Sequence, residues 1–171
     1  MSTLNEKELS FTFPEEWQAE HFDQPGRSSL KHFQPVDFVV ETAERMFFIE
    51  VKDPSATQAP DIQRQRFLQQ MQSKELTHEQ LVPKARTSWA VLSLLQRIQK
   101  PITYIVVIGA EQLQVDPALW LHLTDKLKQR LNKEIDIPWP RPYIQACIVL
   151  PASDLPQHLP GVSVRRLTGG L

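Results

Sequence analysis

One cysteine and five glycines in 171 residues set the first limits. A lone Cys147 cannot close an internal disulfide, and no zinc-ligand spacing surrounds it. Within the apolar run YIQACIVL it reads as core packing. So few glycines leave no phosphate-cradling loop, and no G-x-S-x-G nucleophile turn exists. No apolar run approaches the ~20 residues that span a bilayer. The N-terminus MSTLNEKELS is polar and has no signal-peptide core, so a soluble, cytoplasmic protein is expected. Neither charge sign dominates: 19 Lys and Arg stand against 20 Asp and Glu. Any nucleic-acid partner would therefore need a local basic patch. Histidines 21, 32, 78, 122 and 158 show no metal spacing, and Ser28, Ser29 and Ser88 have no visible base partner.

What is present is enough for one domain, 1–171, with a core at about 15–150 and a C-terminal extension at 151–171. LSFTF (9–13) alternates as a strand, and Pro14-Glu15-Glu16 looks like the start of a short helix, EEWQAEHF, ended by Gln24-Pro25-Gly26. Residues 61–73 form a glutamine-rich helical pattern with apolar positions at 62, 67, 68 and 71, either half-exposed or turned toward DNA. Thr77 and Gln80 have capping-box spacing ahead of a helix over about 78–99, regular from Pro83 and ended by Pro101. PITYIVVIGA and YIQACIVL read as buried strands, separated by a helix capped by Asp116, and LPGVSVRRL adds an edge strand. KLKQR at 126–130 reads as the solvated side of that helix. Two strands followed by alternation with helices predict an α/β fold, a mixed central sheet flanked by helices.

The stretch PVDFVVETAERMFFIEVKDP, residues 35–54, carries the chemistry. A turn at 42–45 pairs residues whose numbers sum to 87: Val36 with Val51, Phe38 with Ile49 and Val40 with Phe47 on one apolar face. On the other face Val39 meets Phe48, Asp37 lands opposite Glu50, and Lys52 leaves on the same side. Two carboxylates about 5 Å apart at Cβ repel unless they share a proton, are screened, or hold a cation. A hard divalent ion suits paired oxygens, and an adjacent ammonium can hold a water or phosphoryl oxygen. That combination describes phosphodiester hydrolysis.

Pro35-x-Asp37, a twelve-residue gap and Glu50-Val51-Lys52 resemble the PD-(D/E)xK nuclease superfamily, which has a restriction-endonuclease-like core of helix–strand–strand–strand–helix–strand. The resemblance covers about residues 15–110 in outline; the position after the second hairpin strand, where a third strand is expected, carries loop and helix propensity instead. It implies Mg²⁺ or Mn²⁺ on Asp37 and Glu50, with the Val51 carbonyl as a third ligand and Lys52 positioning the attacking water. It further implies an acid from the first helix, with Glu16, Glu20 and Asp23 as candidates, phosphate contacts from Lys84 and Arg86, a DNA substrate and a homodimer. The competing expectations are a catalytically inactive nuclease-like scaffold module within a larger assembly, and an α/β interaction protein in which Glu50 and Lys52 are a surface pair.

Overall fold

The computed structural model describes residues 1–24 and 33–167. Pro25, Gly26, Ser28, Ser29 and His32 lie outside them. The hairpin consists of β4 (Phe38–Glu41) and β5 (Met46–Lys52), and its register is Phe38 with Ile49, Val39 with Phe48 and Val40 with Phe47, as the apolar pairs predict. The turn TAER has no Asn-Gly; a threonine holds it instead. Thr42 N–H donates to the Arg45 carbonyl at 3.0 Å, and Thr42 Oγ1 accepts from Glu44 N–H and Arg45 N–H. The Thr42/Arg45 pair thus closes the ladder that fixes every pair above it.

β4 and β5 lie in a five-stranded sheet of order β3-β4-β5-β6-β7, with β3 at Gln18–His21, β6 at Ile102–Ile108 and β7 at Ala146–Pro151. β3 runs antiparallel to β4, whereas β6 and β7 run parallel to β5. The helix expected at 15–22 is therefore a strand. Trp17 and Ala19 pack on one face of the sheet and Phe22 on the other, and Trp17 stacks on Phe47 at 6.2 Å. That two-sided burial suits the pleat and overrides the helix signals of Pro14-Glu-Glu.

Both faces of the sheet are covered. On one lie α1 (Asp61–Gln72), a π-helical segment (Glu75–Leu81) continuing into α2 (Val82–Leu94), and α3 (Pro117–Asn132); Val39, Phe48, Tyr104 and Val106 meet Leu76, Leu81, Ala85 and Leu123 there. On the other lies a second antiparallel sheet, β1 (Ser2–Glu6), β2 (Leu9–Phe13) and β8 (Ser163–Arg166), with α4 (Leu155–His158). Phe11 and Phe13 pack edge-on against Phe38 within that interface. The strand predicted at the C-terminus thus exists, but pairs with β2.

Three local expectations are corrected. Thr77 is no cap: it is fully buried, and its hydroxyl donates to the Lys74 carbonyl inside the π-helical segment. α2 stops at Leu94 rather than near 99, because Gln96 enters the left-handed region at φ 57°. Ile62, placed on the apolar side of α1, is 75% exposed. No helix among the described residues is long and apolar enough to cross a membrane.

The end of β5 is clamped from β8. Arg166 binds Asp53 through two parallel N–H···O contacts of 2.9 and 3.0 Å and also reaches Glu111 at 2.6 Å. Gly109 makes room for this fork: a Cβ there would lie 2.3 Å from Asp53 Oδ1. Gly109→Ala is therefore expected to cost about 2 kcal/mol, seen as a fall in Tm of roughly 4–8 °C. An unchanged melting curve would show that the clamp does not hold the strand end.

Candidate active site

β4 ends one residue short of the carboxylate pair. The Thr42/Arg45 bond makes 38/49 and 36/51 the hydrogen-bonded pairs of the ladder, so 37/50 is the closer, non-hydrogen-bonded kind. Instead of completing the ladder, the chain turns off at Asp37. Val36 N–H donates to Ser88 Oγ on α2 at 2.8 Å, and the Val36 side chain joins the helix-side core rather than the Phe38 face. The Val51 N–H that would have met residue 36 donates to Asp37 Oδ2 at 2.6 Å. An extended residue presents its N–H and C=O to the same neighbour, so the Val51 carbonyl is directed at this same open edge.

Four charged groups converge there. Lys52 Nζ lies 3.1 Å from Glu50 Oε1, and Lys84 Nζ, from the first turn of α2, lies 2.9 Å from the same oxygen and 3.6 Å from Asp37 Oδ1. Glu50 is 1% exposed, and its Oε2 is buried without a hydrogen-bond partner. Burial, and then the Asp37 charge, push the Glu50 carboxyl up to about 7 despite the two ammoniums. Lys84 is raised from its ordinary value: burial opposes its charge, but the attraction of Glu50 and Asp37 outweighs that. The phenol of Tyr104, wholly buried behind Glu50, is pushed well up, first by burial and then by these acids; it donates to the Leu81 carbonyl at 3.1 Å.

Comparison with protein-family models, curated proteins and solved structures found no match to this chain. What the cluster can do is therefore decided by its own geometry.

Of the residues singled out from sequence, Asp37, Glu50, Val51, Lys52 and Lys84 come together. The others do not join them in the expected way. With β3 in place of the first helix, Glu16 is exposed beside the Thr42–Arg45 turn, at the far end of the hairpin. Glu20 stands opposite Val39 and pairs with Arg97 at 2.5 Å. Asp23 lies just beyond β3 on an exposed bend, and its charge is felt by Lys84 and Glu6. Arg86, two residues from Lys84, leaves the other side of α2 and is held by Glu134, which also accepts from the Tyr143 hydroxyl.

One acid escaped the sequence reading. Glu6, half-buried at the end of β1, is raised first by burial and next by the Asp37 charge, and it senses Lys84 and Asp23. Its only signal was the NEKE turn between the alternating STLNE and LSFTF strands, which reads as a polar leader. Beside it, Lys7, Lys52, Asp53 and Gln63 border a cleft of about 160 Å³.

The donor set fits Mg²⁺ or Mn²⁺. A buried carboxylate oxygen without a partner, a second carboxylate beside it and a backbone carbonyl at the same edge are hard donors, and Mg²⁺ commonly takes one or two carboxylates and keeps several waters. Among the described residues no group of three or more His, Cys, Asp or Glu could hold an ion, so water or substrate oxygens would complete the shell. Lys84 now partly neutralises the pair in the manner of such a cation.

Proposed function

We propose that this chain is a metal-dependent phosphodiester hydrolase acting on DNA, with Asp37 and Glu50 as the Mg²⁺ or Mn²⁺ ligands. The observation that carries the reading is a buried Glu50 carboxylate with one unpartnered oxygen, bridged to Asp37 through Lys84 at a strand end lined by two ammoniums. Such a carboxylate weakens the fold unless its site is used, and perturbed acids of this kind cluster at functional sites. The element order also supports a restriction-endonuclease-like core. From residue 18 it runs strand, strand, strand, helices, strand, helix, strand, so the third strand the resemblance calls for precedes the hairpin instead of following it. No counterpart of the leading helix occurs among residues 1–24.

The residues divide the work by position. A bound divalent ion supplies Lewis acidity toward a phosphoryl oxygen and makes water a better nucleophile. Lys52, bonded to Glu50 at the solvent end of β5, orients the attacking water, while Lys84 moves to balance charge developing on the phosphoryl oxygens. Tyr104 and Val106 behind Glu50 keep bulk water from the pair.

The test is cleavage of labelled duplex and branched DNA with Mg²⁺ or Mn²⁺ against EDTA. Asp37→Asn, whose amide oxygen still accepts from Val51 N–H, should lose activity by about 10²-fold or more while melting normally. Lys52→Ala should lower kcat more than metal affinity. Full activity in Asp37→Asn would reject the assignment.

A second reading, an inactive nuclease-like module, is favoured by one observation: Lys84 already bridges Glu50 and Asp37, so the pair is compensated without a metal. On that reading the fold presents a surface to a partner and no cleavage is found.

A further inference from the structure

Away from the acid pair, the π-helical segment and α3 enclose an open cleft of about 390 Å³. Lys74, His78, His122, Lys126, Arg130 and Lys133 border it, and no acid does. For a chain of net charge −1, four permanent cations and two imidazoles on one concave surface are a strong local concentration. Of the acids on these elements, Glu75 accepts from Gln70 at 2.7 Å and Asp125 acts on Cys147 against the sheet, while Glu79, next to His78, lies outside the lining. At His78, burial and then Arg130, Lys74 and Lys126 each disfavour the charged imidazole, and Glu79 opposes them least. The cations therefore face one another across the cleft, an arrangement that repels until an anion enters it.

The shape of the array selects the anion. His122, Lys126 and Arg130 follow one side of α3 at four-residue spacing, about 12 Å at 1.5 Å per residue, and Lys133 continues the row just past the helix end. A compact anion is best met by a closed ring of donors; a row this long matches charges repeated along a strand, which nucleic acid carries every ~3.4 Å of axis per strand. The lining has no Phe, Tyr or Trp ring on which bases would stack and no carboxylate, and its four permanent cations outnumber the one amide, Gln129, so contact is chiefly to the backbone. We propose that this cleft binds the phosphodiester backbone of a nucleic-acid strand without sequence preference. The site goes beyond the acid pair and does not require that pair to be catalytic.

Fluorescence anisotropy of a labelled 20-base duplex and single strand, in EDTA so that no cleavage occurs, tests this over a range of salt. Binding is expected at about 50 mM salt, with log K falling linearly in log salt. Lys126→Gln with Arg130→Gln should weaken it about tenfold or more and reduce the salt slope by roughly 1.8, since each phosphate contact contributes about 0.9. Lys126 and Arg130 also touch the carbonyls of Gln72 and Lys133, so the exposed pair Lys74→Gln with Lys133→Gln serves as the second variant and should lose affinity likewise. Lys128→Gln, on α3 but outside the cleft, should stay within about twofold. Three results would overturn the proposal: no oligonucleotide binding, both double variants binding as the parent does, or binding of tripolyphosphate alone, which marks a small-anion pocket. Because cleavage plays no part, a failed nuclease assay leaves this result readable, and the converse holds.

Discussion

Glu50→Gln is expected to abolish metal-dependent cleavage and, at the same time, to make the metal-free protein more stable above pH 7. The two effects share one cause. Glu50 is buried, and its carboxyl is pushed from an ordinary 4.5 to about 7 by burial and by Asp37. Between those values the native protein holds a proton that the unfolded chain has released. Stability from this group therefore falls as pH rises through the window, then levels off above about 7. Ionisation costs the fold on the order of 3 kcal/mol, so a neutral side chain of the same shape gains several degrees in Tm at pH 8. Below pH 4.5, as the carboxyl becomes protonated in both states, the advantage vanishes. Glu6 titrates in the same direction, but it is present in both proteins and cancels in the difference. Melting curves of parent and variant from pH 4 to 8.5 test this, with a cleavage assay alongside. A difference in Tm that does not change with pH would sink the account of Glu50, and undiminished cleavage would remove it as a metal ligand.

The hairpin was readable from sequence because three apolar pairs admit only one register, and the carboxylates follow wherever that register puts them. Its last pair was not readable. The ladder rule carries Val36 onto the Phe38 face, but the Ser88 hydroxyl, accepting from Val36 N–H across 52 residues in a bond no local pattern encodes, draws the chain aside and lets Asp37 take the Val51 N–H. β3 was lost for the opposite reason. EEWQAEHF has real helix signals, and only the pairing with β4 and the contact of Trp17 with Phe47 decide for strand. Lys84 was found as a suspect beside Arg86, yet one packs over the sheet end and the other turns to Glu134, a choice set by the helical phase of a π-helical start that apolar spacing does not reveal. Glu6 and the basic cleft come together only through tertiary structure, the cleft drawing on residues 74, 78 and 122–133. Of that cleft the sequence offered KLKQR alone, which by itself is a solvated helix face.

Lys84→Ala separates the two functional readings by how the protein answers to metal. Without the ammonium, the Glu50 and Asp37 carboxylates lose the contacts at 2.9 and 3.6 Å, and Lys52 is left as the only cation bonded to the pair among the described residues. Removing one partner of a buried ion pair costs about 3–5 kcal/mol, and Lys84 is mostly buried, so a fall in Tm of roughly 6–20 °C is expected in EDTA. If the acids are a metal site, Mg²⁺ or Mn²⁺ occupies the place the ammonium leaves. The variant then recovers stability with added metal by RT ln(1 + [L]/Kd), about 1.4 kcal/mol at ten times Kd. Its gain exceeds that of the parent protein, in which Lys84 competes for the same oxygens. If Lys84 is a permanent counter-ion in an inactive module, the variant is equally destabilised but metal restores nothing, because two carboxylates without an ion-binding shell hold Mg²⁺ no better than solvent does. Calcium is the control for charge alone: it should stabilise the variant through the same oxygens even where it supports no cleavage. Rescue by all three ions places the divalent site at Asp37 and Glu50, and rescue by none leaves Lys84 as their only cation of consequence.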